Sequence, residues 1–187
     1  MKFQVEFNPA KIAEYRLIGY ETRILNNEDF NNDKVDAGEI GAGTSVTAVY
    51  ELTPVGSSAT LVDPSRYQTP VADKSANSSE FAFLKLRYKI PGEDKSKLVD
   101  RPITASDQVA DIKQAPEATR FATAVAAYGS MLRGDPYIDK SFTWDSVIEL
   151  ANGAKGKDEF GYRSEFIQLA RLAKTAATQA TLERQGG

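Results

Sequence analysis

Apolar and polar residues alternate along the first part of the chain and take up a helical period after about residue 105. Phe3, Val5 and Phe7 share one face of a predicted strand that Asn8-Pro9 breaks. Tyr15, Leu17 and, more weakly, Gly19 alternate through Tyr15-Arg16-Leu17-Ile18-Gly19-Tyr20-Glu21-Thr22, a β-rich stretch with both faces partly apolar. Val46, Ala48, Tyr50 and Leu52 alternate with Thr47, Val49 and Glu51. Leu84, Leu86, Tyr88 and Ile90 alternate with Lys85, Arg87 and Lys89, the cleanest half-buried strand in the chain. Pro91-Gly92-Glu93-Asp94 is a turn signal, from which Lys97 to Ile103 returns as the partner strand. Short strands punctuated by Pro and Gly favour an antiparallel sandwich over a parallel sheet. Residues 54–79 interrupt the series with three Pro and six Ser in 26 positions. A connection that long is usually functional or disordered. One short strand is expected near Ala59 to Val62, and the rest reads as a mobile loop.

The second part reads as helices. Pro116 suits a first helical turn, where its missing N–H costs little. Phe121, Val125, Tyr128 and Leu132 then form an apolar stripe that Gly134-Asp135-Pro136 ends. Thr143 is a good N-cap, with Phe142 and Val147 placed as a hydrophobic staple for a helix that stops at Gly153. A third helix starts near Tyr162 on a stripe of Phe166, Leu169, Ala173 and Ala177, and is expected to fray after Thr178. The predicted fold class is therefore α+β. An antiparallel β-sandwich-like part spans 1–105, and a three-helix C-terminal cap spans 106–187, with helices at about 116–133, 144–152 and 162–180. No internal repeat is visible.

Composition narrows the chemistry. The chain has 187 residues, enough for one core or for two small subdomains sharing one. Against 23 Lys and Arg stand 26 Asp and Glu, a net charge of −3, so no electrostatic pull toward nucleic acid or anionic lipid is expected. There is no His and no Cys. That excludes imidazole-based triads, zinc sites built on imidazole or thiolate, disulfides and thiol redox chemistry. What remains is carboxylate chemistry, oxygen-ligand cations, Ser–Lys pairs and plain binding. No apolar run is long enough for a membrane span, and no membrane insertion by this chain is expected. Because a predicted strand opens directly at Met1, the chain reads as part of a longer one, and no cytoplasmic location is inferred from the missing signal peptide.

Each candidate motif has a plainer explanation. In the polar segment 26–43, Asp29, Asn31 and Asp33 sit at positions 1, 3 and 5 of an EF-hand-like loop, whose oxygens suit Ca²⁺. The pattern then fails, with Lys34 at the sixth position and Ile40 at the twelfth, which favours a solvated connection with Asx turns. Asp139-Lys140-Ser141-Phe142-Thr143 has the Asp-x-Ser-x-Thr spacing of an adhesion-type Mg²⁺ site, but a turn precedes it and a helix cap explains Thr143. Gly38-Glu39-Ile40-Gly41-Ala42-Gly43 lacks the helix that a phosphate cradle needs, so a positive-φ turn or a bulge is expected. No Ser stands three residues before a Lys, and no acid pair carries a local glycosidase signature. Trp144, the one Trp, is expected at a core edge, and Tyr15, Tyr20, Tyr50 and Tyr88 are ordinary strand residues. Asn77-Ser78-Ser79 is a formal glycosylation sequon. No catalytic, metal-ligating or cofactor-binding residue is assigned.

Several segments together carry a family likeness. They are Phe7-Asn8-Pro9-Ala10-Lys11 to Tyr20-Glu21, Glu28-Asp29-Phe30-Asn31, the run from Asp36 to Glu51, Leu84-Lys85-Leu86-Arg87-Tyr88-Lys89, Arg120-Phe121-Ala122 to Leu132-Arg133, and Gly161-Tyr162-Arg163-Ser164-Glu165-Phe166. Over nearly the whole chain this resembles the C-terminal domain that follows a von Willebrand factor type A domain in bacterial YfbK-like proteins. The resemblance implies that any adhesion-type metal site belongs to the preceding domain, and it transfers no catalytic residue. It implies a place in the bacterial cell envelope, periplasmic or surface-exposed, since several such proteins look like exported lipoproteins. Thr44 stands where many relatives would have His.

The expected function is a non-catalytic accessory or interaction domain. It would support the preceding von Willebrand domain and contact protein partners through sheet edges or the 26–43 segment. The alternatives are a carboxylate-based hydrolase and a calcium-binding module.

Overall fold

A computed structural model describes residues 1–19, 25–35, 38, 40, 41, 43–63, 79–139 and 141–185. The fold is α+β, and the chain divides into two units, Met1–Gln108 and Val109–Gly187.

Among its described residues the first unit holds two antiparallel sheets. Strands β1 (Lys2–Phe7), β4 (Glu80–Tyr88) and β5 (Lys97–Thr104) form one sheet in the order β1-β4-β5; β2 (Ile12–Ile18) and β3 (Val49–Pro54) form the other. In the first sheet Phe3, Val5 and Phe7 stand opposite Leu86, Leu84 and Ala82, so the alternation read in two distant segments meets on one face. The polar face carries its own cross-strand pair, Glu6 with Lys85 at 3.8 Å. Gly92, at φ +86°, turns β4 back into β5. Pro102 sits within β5, opposite Phe83 on the edge of the sheet, where a residue without an N–H can be accommodated. The two sheets touch through aromatic rings: Phe7 lies 4.4 Å from Tyr15 and 5.3 Å from Tyr50.

Two strand expectations need correction. Among the described residues the Val46–Leu52 alternation forms a ladder only from Val49, opposite Ile18, and Gly19 takes φ +130° at the end of the partner strand; residues 20–24, which follow it, lie outside the described residues. No strand forms at residues 59–62. The N–H groups of Leu61 (3.0 Å) and Val62 (2.7 Å) instead donate to the Glu14 carboxylate, and the Ser57 hydroxyl oxygen takes the N–H of Ala59, so backbone donors go to side chains. Most of the long loop (64–78), the residues Asn77 and Ser78 of the sequon, and Tyr20 lie outside the described residues.

The second unit holds α1 (Glu117–Arg133), α2 (Trp144–Gly153) and α3 (Tyr162–Gln185). Pro116 lies one position ahead of α1 in extended backbone, and Gly134 at φ +66° closes the helix with its N–H on the carbonyls of Ser130 and Met131. Thr143 caps α2: its hydroxyl accepts the Ser146 N–H, while the Ser146 hydroxyl accepts the Thr143 N–H.

The core of this unit is Ala124, Val147, Ala151, Ile167 and Ala170, with Phe121, Tyr128, Met131, Phe142 and Phe166 packed around it. It corrects the expected stripes on both long helices. On α1, Val125 and Leu132 are exposed, and Ala124 holds the buried position. On α3, Leu169 is 47% exposed, and Ile167 and Ala170 face inward. Three of the five buried side chains are alanines, and small side chains let helices approach closely. The α3 tail does not fray at Thr178 but stays helical to Gln185. The Thr178 and Thr181 hydroxyls donate to the carbonyls four residues back, and Gln179 pairs with Glu183 at 3.2 Å. Among the described residues no helix is long and apolar enough to cross a membrane.

Candidate functional site

The acidic segment is built onto the end of the three-stranded sheet. Residues Asn27–Asn31 form a 3₁₀ helix that buries Phe30. The Arg87 guanidinium lies 5.7 Å from the Phe30 ring, and its Nε donates to Asn31 Oδ1 at 3.2 Å. The Lys2 ammonium donates to the carbonyls of Asp29 (2.7 Å) and Asn32 (2.6 Å), and the Lys89 ammonium to that of Asp33 (2.7 Å). Cations from two strands thus hold the turn by its neutral oxygens.

The three EF-hand-like positions turn to three different partners. Asp29 Oδ2 accepts from the Asn26 amide, Asn31 from Arg87, and Asp33 Oδ2 from the Ser96 N–H. Hydrogen bonds from Ser96, hydroxyl first and then backbone N–H, hold the Asp33 carboxyl below its ordinary range, helped by nearby Lys89 and Arg87. Among the described residues no group of three or more acids could hold a metal ion. Asp36 and Glu39 lie outside the described residues. Where the segment meets the sheet there is a cavity of about 560 Å³, lined by Lys2, Asp33, Lys34, Arg87, Lys89 and Ser96, with Val35, Ile40 and Ile90 as apolar wall.

The remaining motifs resolve as local structure. Asp139 Oδ1 accepts the Ser141 N–H at 2.8 Å in an Asx turn, and Thr143 belongs to the α2 cap. At the end of the glycine cluster Gly43 takes φ +79° and the Thr44 N–H meets the Gly41 carbonyl, while Glu39 and Ala42 lie outside the described residues. Trp144 is half-buried, edge-on to Tyr128 at 5.9 Å. Tyr15 is the tyrosine that departs from expectation, packed on Phe7 yet 62% exposed.

The most heavily specified loop matches none of the sequence motifs above. Between α2 and α3, Gly156 and Gly161 take φ +60° and +74°, and Asp158 takes φ +49°, a left-handed conformation rare outside glycine. The Asp158 carboxylate accepts the N–H of Arg163 (2.9 Å), the N–H of Ser164 (2.8 Å) and the Ser164 hydroxyl (2.7 Å), filling the donors at the start of α3. Arg163 stacks over Phe121 at 4.7 Å and donates to Glu117 and to the carbonyls of Ala154 and Lys155. This scaffold presents Phe160 and Tyr162 outward, stacked on each other at 6.0 Å and 80% and 72% exposed. Both flank Gly161 outside any periodic run. The available signal was aromatics beside a glycine at a helix start.

The same loop predicts an acid response. The Ser164 hydroxyl, aided by the Arg163 and Ser164 N–H groups and against the opposing effect of desolvation, holds the Asp158 carboxyl below its ordinary value of 3.8. A depressed folded value means that the stabilisation is complete above the unfolded value and is lost as pH falls through the folded one, so loss begins below about pH 4. Amide hydrogen exchange at Arg163 and Ser164 is expected to accelerate in that window, beyond its intrinsic pH dependence. Asp158→Asn is expected to flatten the response, and an unchanged acid profile in that variant would remove Asp158 from this role.

Comparison with known proteins places the chain. A family model described as "Uncharacterized protein YfbK, C-terminal" matches residues 1–176. The chain is 46% identical over 174 residues to "Uncharacterized protein YfbK" of Escherichia coli (strain K12), an alignment covering 92% of this chain and 29% of that protein. The chain therefore spans less than a third of the length of the curated relative it matches. No solved structure matches it.

Proposed function

From the premise that the chain belongs to the YfbK C-terminal domain family, we propose that it is a non-catalytic accessory domain of a bacterial cell-envelope protein. Its work is contact with protein, and the first partner proposed is a von Willebrand factor type A domain of the same full-length protein. The observation that carries this reading is the exposed Phe160–Tyr162 pair on a fixed loop. Rigid aromatic side chains bury large area at small conformational cost and dominate protein interfaces. A loop with three left-handed residues and a fully engaged Asp158 is held in one conformation, so little ordering remains to be done on binding. Hydrogen bonds hold the carboxyls of Asp33, Asp107, Asp139 and Asp158 below the ordinary range, the direction of structural hydrogen bonding and opposite to that of a general acid.

The test is a titration of this domain with the separately produced N-terminal remainder of the same full-length protein. Phe160→Ala/Tyr162→Ala is expected to weaken binding by about ten-fold or more, as truncation of central aromatics does. Its helical circular dichroism and melting should match the parent, because both side chains are solvent-exposed. Binding by the double variant equal to the parent's would overturn the reading, and so would no binding by either.

A further inference from the structure

We propose that the cavity at the end of the three-stranded sheet takes a short carboxylate-bearing peptide segment, an acidic residue beside an aliphatic one. This goes beyond the Phe160–Tyr162 contact and uses none of its residues.

The argument begins with the charges that line the cavity. Lys2, Lys34, Arg87 and Lys89 face Asp33 and Glu93. Both acids are already engaged: Asp33 with the Ser96 N–H, and Glu93 with Lys97, four residues on, at 3.3 Å. None of the four cations forms an ion pair with a described acid. Lys2 and Lys89 bond backbone carbonyls, and Arg87 bonds an amide oxygen and the Ser96 hydroxyl. An ammonium has three donors and a guanidinium five. Among the described residues Lys2 uses two, Lys89 one and Arg87 two, so further donors stay open to solvent or ligand on groups whose positions are already fixed. Donors fixed in advance lose little freedom when an anion arrives, and a carboxylate takes the open donors in stronger, charge-assisted bonds than water does.

The size and sign of the surroundings select the ligand. About 560 Å³ accommodates a few residues of extended peptide, and Val35, Ile40 and Ile90 offer it an apolar wall. A polyanion is disfavoured, because the chain carries a net −3 and segment 26–43 holds five acids against one Lys. One or two carboxylates meet the four cations without meeting that repulsion along their length.

The experiment is an NMR titration of the ¹⁵N-labelled chain with acetyl-Glu-Leu-Glu-amide and, in parallel, acetyl-Gln-Leu-Gln-amide. The glutamate peptide is expected to move the amide signals of Lys34, Arg87, Lys89 and Ser96, and the glutamine twin to leave them in place. Lys34→Gln/Lys89→Gln, both at exposed side chains, should weaken the glutamate peptide by about ten-fold or more, with other spectral changes confined to the Asp33 turn that Lys89 helps to hold. Equal response to the two peptides, shifts centred elsewhere, or full binding by the double variant would overturn the proposal. So would saturation of the same amides by inorganic phosphate at equal or lower concentration. Phe160→Ala/Tyr162→Ala should bind the peptide like the parent, so failure at either surface leaves the other standing.

Discussion

Ile167→Ala is expected to destabilise the helical unit by about 3 kcal/mol, within the 2–5 kcal/mol range for emptying a buried aliphatic site. Ile167 is 3% exposed, and the buried residues around it are Val147 and the alanines Ala124, Ala151 and Ala170. Alanine has no rotamer with which to fill a hole, so the space left by three carbons stays largely open and the cavity cost adds to the transfer cost. Domain stabilities of about 5–15 kcal/mol make this a large fraction of the total. Urea unfolding followed by helical ellipticity should show a lower midpoint at unchanged slope. Leu169→Ala is the internal control: at 47% exposure it should cost less than about 1 kcal/mol. Equal losses at the two positions would mean that α3 presents a different face to its neighbours.

The second large effect pairs one substitution at two glycines. Gly156→Ala should destabilise by about 1–3 kcal/mol, because φ +60° is a strained conformation for any side chain. The new Cβ would also collide with Glu117 Oε1, the atom that accepts from Arg163. The carboxylate can swing away, so the steric part is small, but the Glu117–Arg163 pair at 2.9 Å is lost in doing so. Gly129→Ala should have the opposite sign. It lies inside α1 with open space where its Cβ would go, and replacing a helical glycine stabilises by roughly 0.5–1 kcal/mol. Thermal melts of the two variants should bracket the parent. A neutral Gly156→Ala would mean that the loop relaxes freely and is not held as described.

What sequence could convey follows from the reach of each interaction. The β4–β5 hairpin and the Thr143 cap were legible because their determinants lie within a few residues of one another. The buried faces of α1 and α3 were not, because periodicity weights large apolar side chains, whereas this core seats Ala124, Ala151 and Ala170 and leaves Val125, Leu132 and Leu169 exposed. The segment around Asp29, Asn31 and Asp33 looked like a row of cation ligands. Its true partners, Arg87 and Lys89, lie 56 positions further along the chain from Asn31 and Asp33, beyond any local pattern. Phe160 and Tyr162 carried a signal in Gly161 and Asp158, but no rule of spacing reports that an aromatic will be left uncovered.

Pro102 bears on what the molecule does when crowded. Among the described residues strand β5 is a boundary of its sheet, and its outward row of donors is interrupted where the pyrrolidine ring replaces an N–H. A second copy trying to lengthen the sheet there would meet that gap and the charges of Lys97 and Arg101. Growth into fibrils along β5 is thereby discouraged, even though Leu98 and Val99 stand open on the same strand.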